Sequence, residues 1–213
     1  LQECPPGHSR TGRGNSTTCT PCKDKCLKRC PSKIIDSIAS AQSLKGCSII
    51  EGHLEIQIRG STKNPESGNN IVKELEANLV DIIEINEYLK IARSHPILSL
   101  SFLKNLKAIH GKKLDNSKNA LVVWENQNLQ ALWNEGQTVE IGGGGKLFFH
   151  FNPKLCFYKI EDYAKVIAPH IKTNETIVNF ETAKLSNGDK TACKVSPLPV
   201  IIEHIYPQAV LIS

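Results

Sequence analysis

No apolar run in these 213 residues approaches the roughly 20 that a membrane-spanning helix needs. The longest, such as Ile82–Ile85 and Ala209–Ile212, are a fraction of that length, so no part of this chain is expected to cross a membrane. Basic residues never gather into a helix face or stripe: a net charge of +5 is spread over 26 Lys and Arg against 21 Asp and Glu, which argues against a nucleic-acid partner. The seven histidines, at positions 8, 53, 95, 110, 150, 170 and 204, form no His-x-x-x-His or Glu-paired cluster. Ser99 and Ser101 lie outside any Gly-x-Ser-x-Gly elbow, and kinase signatures are missing, so nucleophilic and phosphoryl-transfer chemistry have no candidate residues. Residue 1 is Leu, with no basic-then-apolar leader after it; the expectation is a cleaved signal peptide or a start inside a longer chain.

What is present is ordinary for a folding chain: 40% hydrophobic and 22% charged residues, enough for one domain with a core and a small appendage. Cysteine is unevenly placed. Five of the eight lie between Cys4 and Cys30, followed by Cys47, Cys156 and Cys193. The stretch before Ser32 has almost no apolar periodicity and would not hold a fold without cross-links, so a boundary is expected near residue 30. The spacing of Cys19, Cys22, Cys26 and Cys30 admits thiolates around zinc or a disulfide staple. With a single Cys-x2-Cys pair and no histidine between Cys19 and Cys30, disulfides are favoured. Two sequons, Asn15-Ser16-Thr17 and Asn174-Glu175-Thr176, agree with an oxidising, secretory route.

Beyond residue 30 a loose repeat recurs. It is seen in Cys47–Ile58, in Ile83–Ile91, in Leu106–Gly111 with Ala120–Val123, and in Thr138–Ile141 with Lys146–Phe149. Each copy reads as an alternating strand, a tight turn at Gly or Asn, and another strand. Short strands repeated in this way predict a parallel β-helix, a solenoid in which each coil buries its apolar edge against the next. Two segments read as helices: Ile34–Leu44, with Ile34, Ile38, Ala41 and Leu44 on one stripe, and Asn70–Leu79, with Ile71, Leu75 and Leu79 inward and Glu74 and Glu76 outward. Residues 60–69 between them read as an exposed loop. Gly142–Lys146 has the look of a phosphate-binding loop, but Leu147 replaces the magnesium-binding Ser or Thr and a strand follows, which predicts a flexible turn. Of the late aromatics Trp124, Trp133, Phe148, Phe149, Phe151, Phe157 and Tyr158, about two in three are expected to fill the interior, the rest being open to a partner.

Several motifs carry a resemblance. Glu3-Cys4-Pro5-Pro6-Gly7-His8 with Asn15-Ser16-Thr17-Thr18-Cys19-Thr20-Pro21-Cys22 resembles the last module of the furin-like cysteine-rich region of the insulin receptor family. Glu84–Ile91, Glu125-Asn126-Gln127-Asn128-Leu129 through Trp133, and Gly145–Cys156 resemble that family's second L domain, which is leucine-rich-repeat-like. The resemblance covers roughly residues 3 to 195. It implies a mainly β fold with short helices: a right-handed parallel β-helix over residues 31–195, preceded by a small disulfide-rich module over 1–30. Residues 196–213 would lead toward a fibronectin type III domain. It further implies the pairs Cys4–Cys19, Cys22–Cys26, Cys30–Cys47 and Cys156–Cys193, glycans at Asn15 and Asn174, and an extracellular setting. The implied function is a ligand-binding module of a receptor tyrosine kinase ectodomain. Its partners would be an insulin-like peptide hormone, the receptor's other domains and a second receptor copy. Neither catalytic residues, a cofactor nor a metal is expected in this chain. An alternative is a secreted decoy or carrier that sequesters insulin-like peptides without signalling. Strand alternation groups Glu55, Gln57 and Arg59 on one face, with Tyr88 as the exposed candidate beside them for ligand or partner contact.

Overall fold

The computed structural model describes residues 8–11, 18–22, 26–59 and 65–194. β1 (His8–Thr11) and β2 (Thr18–Pro21) pair antiparallel ahead of everything else. The chain then alternates between two sheets. β3 (Lys28–Cys30) opens one and β4 (Lys33–Ile35) the other. After α1 (Ile38–Gln42) come β5 (Cys47–Ile50) and β6 (Leu54–Ile56), then α2 (Pro65–Leu79), β7 (Glu84–Ile85) and β8 (Leu89–Ala92). β9 (Ala108–Ile109), β10 (Asn119–Trp124), β11 (Glu140–Ile141) and β12 (Lys146–His150) complete the series. Odd strands form one five-stranded sheet in the order β11-β9-β7-β5-β3, even strands another in the order β12-β10-β8-β6-β4, and every neighbouring pair in both is parallel.

Register stacks like on like. Ile35, Ile56, Ile91, Val123 and Phe149 are successive partners across the even sheet and all are fully buried. Cys30, Ile50, Ile85, Ile109 and Ile141 make the matching column in the odd sheet. The core therefore lies between the two sheets. The repeats read from the sequence fall on β5/β6, β7/β8, β9/β10 and β11/β12. Their strands do not alternate as expected, since Cys47–Ile50 and Leu54–Ile56 are buried at every position.

Two of the helix expectations need correction. Ile34 and Ile35 belong to β4, where the β-branched Ile35 joins the inner column and Ile34 is left half exposed. The helix starts only at Ile38, because Ser37 and Ser40 close a capping box in which each hydroxyl accepts from the other's backbone N–H. Their hydroxyls also hold the Asp36 carboxyl below its ordinary range. α2 begins at Pro65, inside the segment read as loop: proline suits a first helical position, whose N–H has no intrahelical partner. Ile71, Leu75 and Leu79 do face the core.

A polar column continues the core past the ends of the even strands. The Ser94 N–H donates to Asn126 Oδ1 (3.0 Å), the Asn126 N–H and Nδ2 both donate to Asn152 Oδ1 (3.1 Å each), and Asn152 Nδ2 donates to Asn187 Oδ1 (2.8 Å). The same amides also donate to strand carbonyls, Asn126 to Ile91 (3.0 Å), Asn152 to Val123 (3.0 Å) and Asn187 to Phe149 (2.8 Å), and Asn187 donates to the Ala183 carbonyl as well (2.6 Å). All four residues are buried. The residue before each of the first three (Arg93, Glu125 and Phe151) has positive φ, so the chain turns the same left-handed corner three times.

The turn at 142–145 is not the loose link expected. Gly143 has φ +63°, and a Cβ there would lie 2.3 Å from the Gly111 carbonyl oxygen of the preceding repeat; Gly144, φ +64°, has open space around it. Gly144→Ala is expected to cost about 1 kcal/mol from backbone strain alone, and Gly143→Ala roughly twice that or more because the neighbouring backbone must also move. Urea unfolding of the two variants checks this; equal losses would mean that the corner is not tightly packed.

Downstream, α3 (Phe157–Ile167), α4 (Thr173–Thr176) and α5 (Phe180–Ser186) close the β12 end. Phe157, Ile160 and Tyr163 face inward from α3, and the Tyr163 hydroxyl donates to the Val139 carbonyl (2.8 Å). Ile177 bridges to Leu147.

Candidate ligand and partner surface

The outer face of the even sheet carries the residues singled out above. Ile34, Glu55, Lys90, Val122 and Phe148 are register partners across it. Glu55 is only 8% exposed, which for a carboxylate demands partners. It has two: the Tyr88 hydroxyl donates to Oε1 (2.8 Å) and Gln57 Nε2 to Oε2 (2.8 Å). Tyr88 is half-buried rather than exposed, a correction to its expected place. Its phenol is pushed well above the ordinary range, chiefly by burial, then by the hydrogen bond to Glu55 and the nearby charges of Glu55, Asp115 and Glu87. The ring lies flat against His53, with centroids 4.9 Å apart and planes 6° from parallel. His53 Nδ1 sits 3.3 Å from Glu87 Oε2, and Lys90 Nζ 3.2 Å from Asp115 Oδ1. Glu55, Gln57 and Tyr88 are thus brought together in one network, while Arg59 is exposed and outside those hydrogen bonds.

Toward β12 the same face turns aromatic, which strand alternation had not singled out. The Arg93 guanidinium lies 4.4 Å from the Trp124 ring centroid and its Nε 2.6 Å from Glu125 Oε2. Phe148 stacks on His150 at 4.3 Å, and Phe151 stands 49% exposed at its left-handed corner. Of the seven late aromatics only Phe149 and Phe157 are buried outright; Trp124, Trp133 and Phe148 are intermediate and Tyr158, like Phe151, is exposed. The pairing of Phe148 with His150 is visible in retrospect as an i, i+2 spacing on one strand.

The described cysteine sulfurs stand in disulfides. Cys22–Cys26, Cys30–Cys47 and Cys156–Cys193 are closed, and no described cysteine is free. Cys19 is also disulfide-bonded; Cys4, its expected partner, and the sequon at Asn15 lie outside the described residues. Asn174 is exposed on α4.

The receptor L domain family model matches residues 46–167, more than half of the chain. The chain belongs to the receptor L domain family. Beyond the L domain itself, it is 40% identical over 201 residues, 94% of its length, to an insulin-like peptide receptor of Branchiostoma lanceolatum. It is 38% identical over 91% of its length to an insulin receptor of Xenopus laevis, and 36% identical over 91% to that organism's insulin-like growth factor 1 receptor. The chain spans 14% of each of these relatives. Its resemblance to the insulin receptor family therefore runs through the cysteine-rich start and the L domain alike. Among the described residues no helix is long and apolar enough to cross a membrane.

Proposed function

We propose that this chain is an extracellular ligand-binding module of an insulin-like peptide receptor, working in growth-factor signalling and supplying binding surface rather than catalysis. The observation that carries the reading is the likeness to three hormone and growth-factor receptors over nine-tenths of the chain. In this reading residues 1–30 end a cysteine-rich module, 31–195 are the L domain, and 196–213 lead toward a further domain. The two parallel ladders are the walls of one right-handed β-helix, a hand favoured for parallel crossovers generally. The receptor's other domains and a second receptor copy are the remaining partners.

The contact surface in this proposal is the outer even sheet around Glu55, Gln57, Arg59 and Tyr88. Its support is preorganisation: Tyr88 is held by His53 on one side and Glu55 at its tip, so a partner would meet a ring whose rotamer is already fixed. Titration of an insulin-like peptide against the oxidised chain tests the reading, with Tyr88→Ala expected to weaken binding by roughly tenfold or more, as for an aromatic anchor. No heat of binding to the chain, together with unchanged affinity when Tyr88→Ala is placed in a whole receptor ectodomain, would remove the surface from consideration.

A further inference from the structure

We infer that Asn174 is an N-glycan acceptor and that its sugar is transferred before α4 folds. The inference rests on the extracellular reading for its access to a secretory pathway. Asn174-Glu175-Thr176 is a complete sequon, and Asn174 is exposed. The adjoining chain is open as well: Ile171, three residues earlier, is 53% exposed, and Lys172 and Glu175 are exposed, which leaves room for a branched sugar. In the transfer step the Asn174 amide nitrogen attacks the anomeric carbon of a lipid-pyrophosphate-linked oligosaccharide. The new nitrogen–carbon bond replaces the carbon–oxygen bond to pyrophosphate, the amide loses one proton, and the lipid pyrophosphate leaves.

The order of events follows from Thr176. A transferase must read the sequon hydroxyl as well as the Asn amide, yet Thr176 is 7% exposed. Its Oγ1 donates to the Lys172 carbonyl (3.3 Å), and its backbone N–H donates to the same oxygen (3.2 Å). The next residue, Ile177, is buried and bridged to Leu147, and the Val178 N–H donates to the Leu147 carbonyl (2.8 Å). Folding thus withdraws half of the recognition motif while leaving the acceptor in solvent. Asn174 also lies inside the loop closed by Cys156–Cys193, so closure of that disulfide helps set the end of the acceptor window.

Two measurements test this. The whole chain is secreted from animal cells behind a leader, deglycosylated enzymatically in heavy-oxygen water, and the Asn174 peptide is weighed; a glycan-bearing Asn returns as labelled Asp. Separately, purified oxidised chain and reduced, alkylated chain are offered to microsomal transferase with a lipid-linked donor. Label at Asn174 is expected in the secreted chain and is lost in Asn174→Gln and in Thr176→Val, which keeps the buried shape. The reduced chain should accept sugar at Asn174 roughly tenfold or more faster than the oxidised chain, reflecting the population of open α4. An unlabelled Asn174 in the secreted chain overturns the site, and equal acceptance by the two forms overturns the order. Failure of export would count against the extracellular reading alone, because the acceptor assay uses purified chain.

Discussion

Asn152→Ala is expected to lower unfolding free energy by about 3–5 kcal/mol, more than a typical buried hydrogen bond is worth, because one side chain serves both neighbours in the polar column. Its Oδ1 accepts from the Asn126 backbone and side chain, and its Nδ2 donates to the carbonyls of Val123 and His150 and to Asn187 Oδ1. Truncation leaves all of these groups without Asn152 in a place with no measurable solvent exposure. Each such orphan costs roughly 1–3 kcal/mol, with partial relief where a neighbour can shift. Asn152→Asp should be no better despite its shape, since a carboxylate would face the Val123 and His150 carbonyls with no proton to give. Asn128 is the control: it donates to the His95 carbonyl (2.9 Å) and accepts from Lys154 (2.8 Å), but it is partly open to solvent, so Asn128→Ala should cost about 1 kcal/mol or less. Urea unfolding with the disulfides intact reads all three. A loss under about 1 kcal/mol for Asn152→Ala would mean that water replaces the ladder's bonds.

That column shows where the sequence was opaque. Ser94, Asn126 and Asn152 each stand three positions beyond an inner hydrophobic, Ile91, Val123 and Phe149, and the constant offset is a usable signal. It was masked because asparagine after a strand ordinarily means a turn. The strands themselves were legible from Cys47 to Phe149, since runs of β-branched residues broken by Gly or Asn have few other readings. Their alternation was not legible as burial, because β5 and β6 are buried at every position and even the outward-facing Glu55 is covered. Pro65 and Gly68 hid the first turn of α2 for a similar reason: their local preference for turns is weaker than the burial of Ile71, Leu75 and Leu79 that holds the helix down. On the candidate surface, Glu55 and Gln57 were found because they flank the buried Ile56, and Tyr88 because it precedes Leu89. Arg93 over Trp124 was not found, since it joins two repeats through a left-handed corner that no local pattern marks.

Replacing Cys156 and Cys193 together by Ser is expected to cost about 4 kcal/mol, against about 3 kcal/mol for the Cys30/Cys47 pair, in the chain-entropy treatment for loops of 37 and 17 residues. The two losses should differ in kind as well as size. Cys30 and Cys47 stand on paired strands whose columns of aliphatic side chains remain in place without the bond. Cys156 and Cys193 join the β12 end to the last short helical turn, where no aliphatic ladder backs the bond and the nearby ties include two backbone hydrogen bonds, Phe157 N–H to the Gly188 carbonyl (2.9 Å) and Gly188 N–H to the Leu155 carbonyl (2.8 Å). Opening should therefore begin there, and the Phe157 and Gly188 amides should exchange with solvent up to roughly a thousandfold faster while the Ile56 and Ile91 amides change little. Asn187, the last member of the polar column, precedes Gly188, so fraying would pull its bonds from Asn152 and Phe149. Adding Asn187→Ala to the cysteine pair variant should then cost less than it does in the intact chain, by about 1 kcal/mol or more of coupling. Strict additivity would mean that the disulfide and the column stabilise the end independently, and that the bond acts only on the unfolded chain.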